Sequence, residues 1–298
     1  MPFPYAGEIC ALLAPLCWSV AMLLYRRTTD HLPGASITLF KNVLALILLS
    51  GTMLVMGIGV PRDRSALDWG RVLFSGLLGL AVADTLLFEA LRRIGSARIA
   101  IVDTIYAPVL ITLSVLFLGD VLTWGFLVGG AAVIAGVAVA NWQKPPPGPD
   151  ATELAFGTVL GLLAIAGTAT GVVLARPVLQ ASSLVEVTWT RLLAGVVGQV
   201  IWMAVRQELR VAVTVFRPQP VWRTLVPAAF IGTYVSLILW LGGFKWANAP
   251  VAAVLNQMAT VYMLVLARVV LGEAVTGAQW VGGGLAMCGA AFLVISRL

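Results

Sequence analysis

Four ionisable side chains stand deep inside otherwise apolar runs of this chain: Lys41, Asp84, Asp103 and Arg191. A charge at the centre of a membrane helix costs on the order of 2.5–3.5 kcal/mol on insertion scales, so it persists where it is paired, wetted or used. Lys41 is a point charge with three donors, and Arg191 a planar fork that suits a carboxylate. Asp84 and Asp103 supply acceptors. An acid left without a partner away from water is stabilised by taking up a proton. Such a set can hold a zwitterionic or anionic small molecule, and one carboxylate can serve as a proton-coupling group.

The elements that carry these residues follow from composition. The chain has 298 residues, 60% hydrophobic and 11% charged, with a mean hydropathy of +0.98. A soluble domain carries about 25% charged residues, so this surplus of apolar surface must face lipid. Ten segments are each long enough to cross roughly 30 Å of hydrocarbon as a helix. They are 6–25, 35–57, 70–92, 97–118, 122–142, 153–174, 184–205, 222–244, 249–271 and 277–296. Their Leu, Ala, Val and Gly content, without strict alternation, argues for helices and against a β-barrel. Gly and Pro clusters separate them, and the run Lys144–Pro149 is a central linker. Seven Trp, at 69, 124, 142, 202, 222, 246 and 280, fall near segment ends, where indole prefers the headgroup region. Trp18, Trp189 and Trp240 lie deeper.

The net charge of +6 is scattered over short loops, which makes no basic groove for nucleic acid. Cys10, Cys17 and Cys288 lie in apolar segments without a CxxC pair, and the single histidine is His31, so neither a metal site nor a cofactor is expected. The first segment has no basic leader and reads as a retained helix.

Depth along a helix sorts the charged residues. Lys41 lies six residues into its segment, about 9 Å deep. Asp84, Asp103 and Trp18 fall at about 9–12 Å from the same side. Lys41 is therefore expected to pair with Asp103 or Asp84, leaving one carboxylate for proton coupling. A static ion-pair cluster fixing helix register is the alternative. Arg191 lies seven residues into its segment from the opposite side, with Asn256 at matching depth and Gln257, Trp189, Tyr234 and Tyr262 as neighbours. It is expected to bind an anionic group of the solute, against bonding to carbonyls or snorkelling. Tyr106 completes the candidate substrate-binding set. Glu89 is expected to pair with Arg92 or Arg93 on its own helix. Asp120 and Glu273 are expected to cap the helices that follow them. Pro15, Pro108 and Pro227 predict kinks. The GxxxG spacings 125–129, 157–161 and 167–171 predict close contacts within the bundle.

The chain repeats itself. A shift of 150 places Lys41 on Arg191 and Arg26 on Arg176. A shift of 153 places Arg92 on Lys245, Gly119-Asp120 on Gly272-Glu273, Gly129-Gly130 on Gly282-Gly283, and Asp103 on Asn256. Five helices per half is an odd number, so the halves enter the membrane in opposite orientation. The expected organisation is a first five-helix repeat at 1–143, a linker at 144–152 and a second, inverted repeat at 153–298.

With these motifs the chain resembles the EamA family of the drug/metabolite transporter superfamily. The likeness is carried by Arg92-Arg93-Ile94-Gly95-Ser96-Ala97-Arg98, Ala107-Pro108, Leu118-Gly119-Asp120 and the Gly129-to-Gly136 run. Lys245-Trp246-Ala247-Asn248-Ala249-Pro250, Leu271-Gly272-Glu273 and Gly282-to-Gly289 repeat it. Asp120 departs from the Glu usual in that motif, and acids at 84 and 103 are not expected from it. The resemblance implies an all-α integral membrane protein, with ten transmembrane helices as two inverted five-helix repeats around a central cavity. It also implies export of amino acids or other metabolites, a bacterial inner membrane, and both termini in the cytoplasm. Loop charges, including Arg206, Arg210, Arg217 and Arg223, favour the reverse orientation. A monomer is expected, with a small solute and the bilayer as its partners. No Walker A, HExxH or GxSxG motif is present, so the expectation is a secondary transporter and not an enzyme. A flippase of a lipid or lipid-linked sugar shares the architecture and stays open. A membrane-embedded lipid-modifying enzyme is the weaker third reading.

Overall fold

Backbone amides and carbonyls inside hydrocarbon have no water to bond, so each spanning segment must satisfy its own as a helix. The computed structural model describes residues 4–26, 28, 32, 34–94, 96–140, 150–270 and 276–296. Most of 144–152, with His31, Gly95, Gly272 and Glu273, lies outside the described residues.

The elements in chain order are α1 (Ala6–Arg26), α2 (Gly34–Val55), α3 (Ala66–Gly76), α4 (Ala83–Ile94), α5 (Ser96–Asp103), α6 (Tyr106–Leu118), α7 (Trp124–Ala140) and α8 (Ala151–Ala181). There follow α9 (Leu184–Val205), a short α10 (Leu209–Ala212) with a 3-10 turn (Val213–Phe216), α11 (Trp222–Ala229) and α12 (Ser236–Trp246). The chain closes with α13 (Ala249–Asn256), α14 (Met258–Val270) and α15 (Gly277–Ile295). Wide π turns, Leu77–Val82 and Phe230–Val235, join α3 to α4 and α11 to α12 into continuous rods. No strand occurs among the described residues. Eight helical runs among them are long and apolar enough to cross a membrane, and Tyr106–Leu118 and Trp124–Ala140 are shorter apolar helices.

Local chemistry sets the ends. Asp150 accepts the Glu153 amide at 2.8 Å and starts α8 at Ala151, two residues before the sixth apolar segment. Ser65 caps α3, and Thr276 with Gln279 forms a reciprocal cap on α15. Gly119, at φ +67°, ends α6 in the left-handed conformation that glycine adopts without strain. Asp120 does not cap α7. Thr123 takes that part, accepting the Phe126 amide at 3.2 Å, while Asp120 accepts from Arg176 at 2.6 Å. Arg176 also donates to the carbonyls of Phe244 and Ala247. These bonds, with buried Val178 and Leu179 beside them, hold α8 helical well past residue 174.

The fourth segment is broken in two. Pro108 has no amide for the carbonyl of Thr104, and its ring crowds that carbonyl, so the helix stops after Asp103 and restarts at Tyr106. The kink expected at Pro108 therefore lies one turn earlier, and Pro108 occupies the first turn of α6, where a missing amide costs nothing. The ninth segment breaks at Gln257 without a proline.

The bounds recur along the chain. At an offset of 150, α2 falls on α9 end to end. At 153, the π turn at 77–82 falls on that at 230–235, and α5 falls on α13. Contacts recur in matching pairs too: α4 packs on α8 and α12 on α1, and α6 packs on α8 and α14 on α1. The helix that opens each half thus lies against the third and fourth segments of the other.

Glycine sets the closest approach. A methyl group built on Gly136 would stand 2.5 Å from the Ala286 amide, and one on Gly282 would stand 2.5 Å from the Ala140 amide. Gly129 likewise meets Gly289. The pairs 129–289 and 136–282 run in opposite directions, so α7 and α15 cross antiparallel with backbones touching. Gly157, Gly161, Gly167 and Gly171 all face other helices of the same chain, as their spacing implied.

Substituting Gly136→Leu is expected to cost at least about 1–3 kcal/mol by overpacking this seam. Gly284→Leu, where a side chain meets nothing within 4 Å, should be tolerated. Thermal unfolding in detergent, read by size-exclusion profile, separates the two; equal stability would contradict the seam.

Candidate functional site

Lys41 leaves α2 from its third turn and is 8% exposed. Its Nζ donates to Asn42 Oδ1 at 3.2 Å and stands 6.0 Å from the Trp18 ring centroid on α1. Asn42 Nδ2 donates in turn to Gln199 Oε1 on α9, also at 3.2 Å. The cation is therefore held by a neutral amide relay, and the direct ion pair expected with Asp84 or Asp103 does not form. Asp84, on α4, is the charge that acts on Lys41 across the cavity.

Asp103 ends α5 at the break, and its surface is exposed toward the cavity interior. Its backbone carbonyl, orphaned by the break, accepts from Gln257 Nε2 at 3.2 Å. Gln257 sits at the other break, so the two interruptions are bonded to one another.

Around these groups lies a cavity of about 300 Å³. Lys41, Asp84, Asp103, Trp18, Tyr106, Asn256 and Gln257 all line it, together with Asn42, Thr168, Thr233, Ser236 and Trp240. Helices of both halves contribute, while α7, α10 and α15 contribute nothing. Seen from its helix ends, the lining stays about 9 Å or more inside either face. The volume holds on the order of ten waters.

Not every expected residue arrives there. Arg191 is 2% exposed and does not line the cavity; its guanidinium lies 5.7 Å from the ring centroid of Trp240, which does. Trp189 donates to Ser50 Oγ at 2.8 Å, and Tyr234 bonds Thr52 Oγ1 at 2.7 Å, so both tie α2 to its neighbours away from the cavity. Tyr262 packs against the main apolar core. Near the surface, Arg93 bonds Glu89 at 2.8 Å, as its spacing implied, and also Glu153 at 2.7 Å.

A sequence profile of the EamA-like transporter family matches residues 5–142 and 155–295. The chain belongs to the EamA-like transporter family. It is a membrane transporter, embedded in the bilayer by its apolar helices. An uncharacterized transporter of Synechocystis is 26% identical over 245 residues, 80% of this chain and 68% of that protein. Protein PecM of Dickeya dadantii is 26% identical over 277 residues, 91% of this chain and 86% of its own. A crystal structure with 19% identity superposes with a TM-score of 0.81, covering 97% of this chain and 96% of the other, which gives a shared fold.

In this EamA-like transporter the sequence reading overlooked three features. Asn42 and Gln199 were hidden because a lone amide in an apolar run carries no charge to mark it. Trp240 was noticed as deep but given no task. Arg64, just before α3, is 4% exposed and grips Glu186 with two bonds of 2.9 and 2.6 Å, with Thr190 also donating to Glu186. Lys245 likewise donates to the carbonyls of Leu179 and Ser182. With Arg176–Asp120, these contacts fasten one face of the bundle.

Asn42→Leu and Gln199→Leu are each expected to cost about 1–3 kcal/mol, because each leaves a buried amide without a partner. The double variant should cost less than the sum of the two. Thermal unfolding of the four proteins tests this; strict additivity would remove the relay.

Proposed function

We propose that this transporter is a secondary carrier that exports a small polar metabolite, an amino acid or a related zwitterion or anion, by alternating access. The reading rests on one observation above others: a cavity of about 300 Å³ at mid-depth, lined by Lys41, two carboxylates, three amides and the Trp18 and Tyr106 rings. Its size suits a solute of amino-acid dimensions, at the small end of ligand pockets. Lys41 would receive the carboxylate of the solute, and Asp84, Asn256 and Gln257 its polar remainder. Interrupted helices that meet near mid-depth are a recurrent site of solute and ion binding in secondary transporters.

The ten segments are read as two inverted repeats, comprising residues 1–143 and 153–298. Support comes from the recurrence of bounds at offsets of 150 and 153, and from the antiparallel crossing of α7 on α15. That crossing is reciprocal: the glycine near the start of each helix meets the one nearer the end of the other, as a two-fold axis in the membrane plane requires. Both termini then share one face. That face is read as the cytoplasmic face of a bacterial inner membrane, a reading the family likeness supports.

Asp103 is the better proton-coupling group. Asp84 has Lys41 as its Coulombic partner, whereas no ion pair to Asp103 occurs among the described residues. Both acids line the cavity, and Asp103 is the more exposed of the two. A flippase would instead need a groove open sideways to lipid.

Purified protein in liposomes loaded with a mixture of labelled amino acids should give saturable efflux that quickens under an imposed pH gradient. Asp103→Asn should keep solute exchange and lose the response to the gradient, while Lys41→Met should lose carboxylate solutes at least about tenfold. No amino-acid efflux together with scrambling of a fluorescent short-chain phospholipid would overturn this reading in favour of a flippase.

A further inference from the structure

Arg191 is the residue whose placement the cavity leaves unexplained. At the offset of 150 it occupies the position of Lys41, and each lies seven residues inside a helix of the same length. The two enter from opposite faces, each about 10 Å deep. Yet Lys41 lines the cavity, and Arg191 is shut behind Trp240.

Arg191 and the nearby cavity wall carry donors that bond nothing among the described residues. Arg191 Nε and Nη1, the Tyr106 hydroxyl and Asn256 Nδ2 are buried and have no hydrogen-bond partner among the described residues. Tyr106 lies within electrostatic reach of Arg191, and Tyr106, Asn256 and Trp240 belong to the cavity wall. A buried donor without an acceptor is costly, and these donors call for one. An arginine merely anchored to carbonyls would have spent those two nitrogens on them. Gly76 lets the α3 backbone approach the Arg191 backbone carbonyl, and a methyl group on Gly79 would stand in ordinary contact, 3.6 Å, with Arg191 Nη2.

We propose that Arg191, with Tyr106 and Asn256, forms a second anion subsite for a carboxylate, sealed by Trp240 in this conformation and exposed when the cavity opens toward the face holding residues 57–65. Lys41 serves the opposite opening, so the solute's carboxylate passes between two equivalent cations during one cycle. The inference rests on the transport reading above and adds to it which residues hold the solute in the second state.

The test uses thiol accessibility and needs no known substrate. In full-length protein with Cys10, Cys17 and Cys288 replaced by Ser, vesicles of both orientations are treated with impermeant methanethiosulfonates. Lys41→Cys should react from the face holding residues 206–221, and Arg191→Cys from the opposite face. In Asn256→Cys, the rate ratio of the anionic ethylsulfonate to the cationic trimethylammonium reagent should fall about tenfold when Arg191→Gln is added. Arg191→Lys should preserve the ratio. Arg191→Cys inert from both faces while Lys41→Cys reacts would overturn the subsite and leave the transport reading standing. Inertness at both positions would overturn the two together. If Arg191→Cys fails to fold, the reagent ratio alone decides: an unchanged ratio in Arg191→Gln refutes the proposal.

Discussion

A helix interrupted halfway through a bilayer leaves carbonyls and amides that no water can reach, and the rest of this structure is arranged around that debt. The break after Asp103 frees its carbonyl, and the Gln257 amide, itself at a break, bonds it across the bundle. Each interruption therefore stabilises the other, and the bond joins the two halves of the chain at mid-depth. Polar side chains can gather there because the backbone is already polar. Lys41, Asp84, Asn42 and Gln199 extend the same region outward, each with a neutral or charged neighbour that offsets part of its desolvation.

Most of the helical frame was legible because hydrocarbon thickness is a strict ruler. The segment at 184–205 matches α9 residue for residue, and others differ by a few positions at their ends. The interruptions were less legible. Pro108 pointed toward one, since its ring acts on the residue four places earlier. Nothing local marks the break at Gln257, which follows from a contact 154 residues away. The π turns left no signal either, as an apolar run reads alike whether its hydrogen bonds span four residues or five.

The site was legible where charge marked it and obscure where geometry decided. Lys41, Asp84 and Asp103 reach one cavity, as their depths implied. Depth alone could not say that Arg191 turns behind Trp240, nor that Trp189 and Tyr234 bond toward α2. Pairing was harder still. Asp120 stands in a turn that suits a cap, and only the fold brings Arg176 to it. Arg64 and Glu186 are 122 residues apart and meet in a buried pair. Breaking such a pair by removing one partner costs about 3–5 kcal/mol, so it closes its face firmly.

The α7–α15 seam lies apart from the cavity and is made of glycine set against backbone. Interlocked side chains resist rotation like gear teeth, because turning one helix forces rotamers on the other. Two smooth backbones in van der Waals contact hold together through dispersion over a long strip and carry few such teeth. The strip therefore resembles a journal bearing: it opposes separation of the halves far more than it opposes their rocking. On the alternating-access reading proposed above, this seam would be the axle and the polar cavity the working surface.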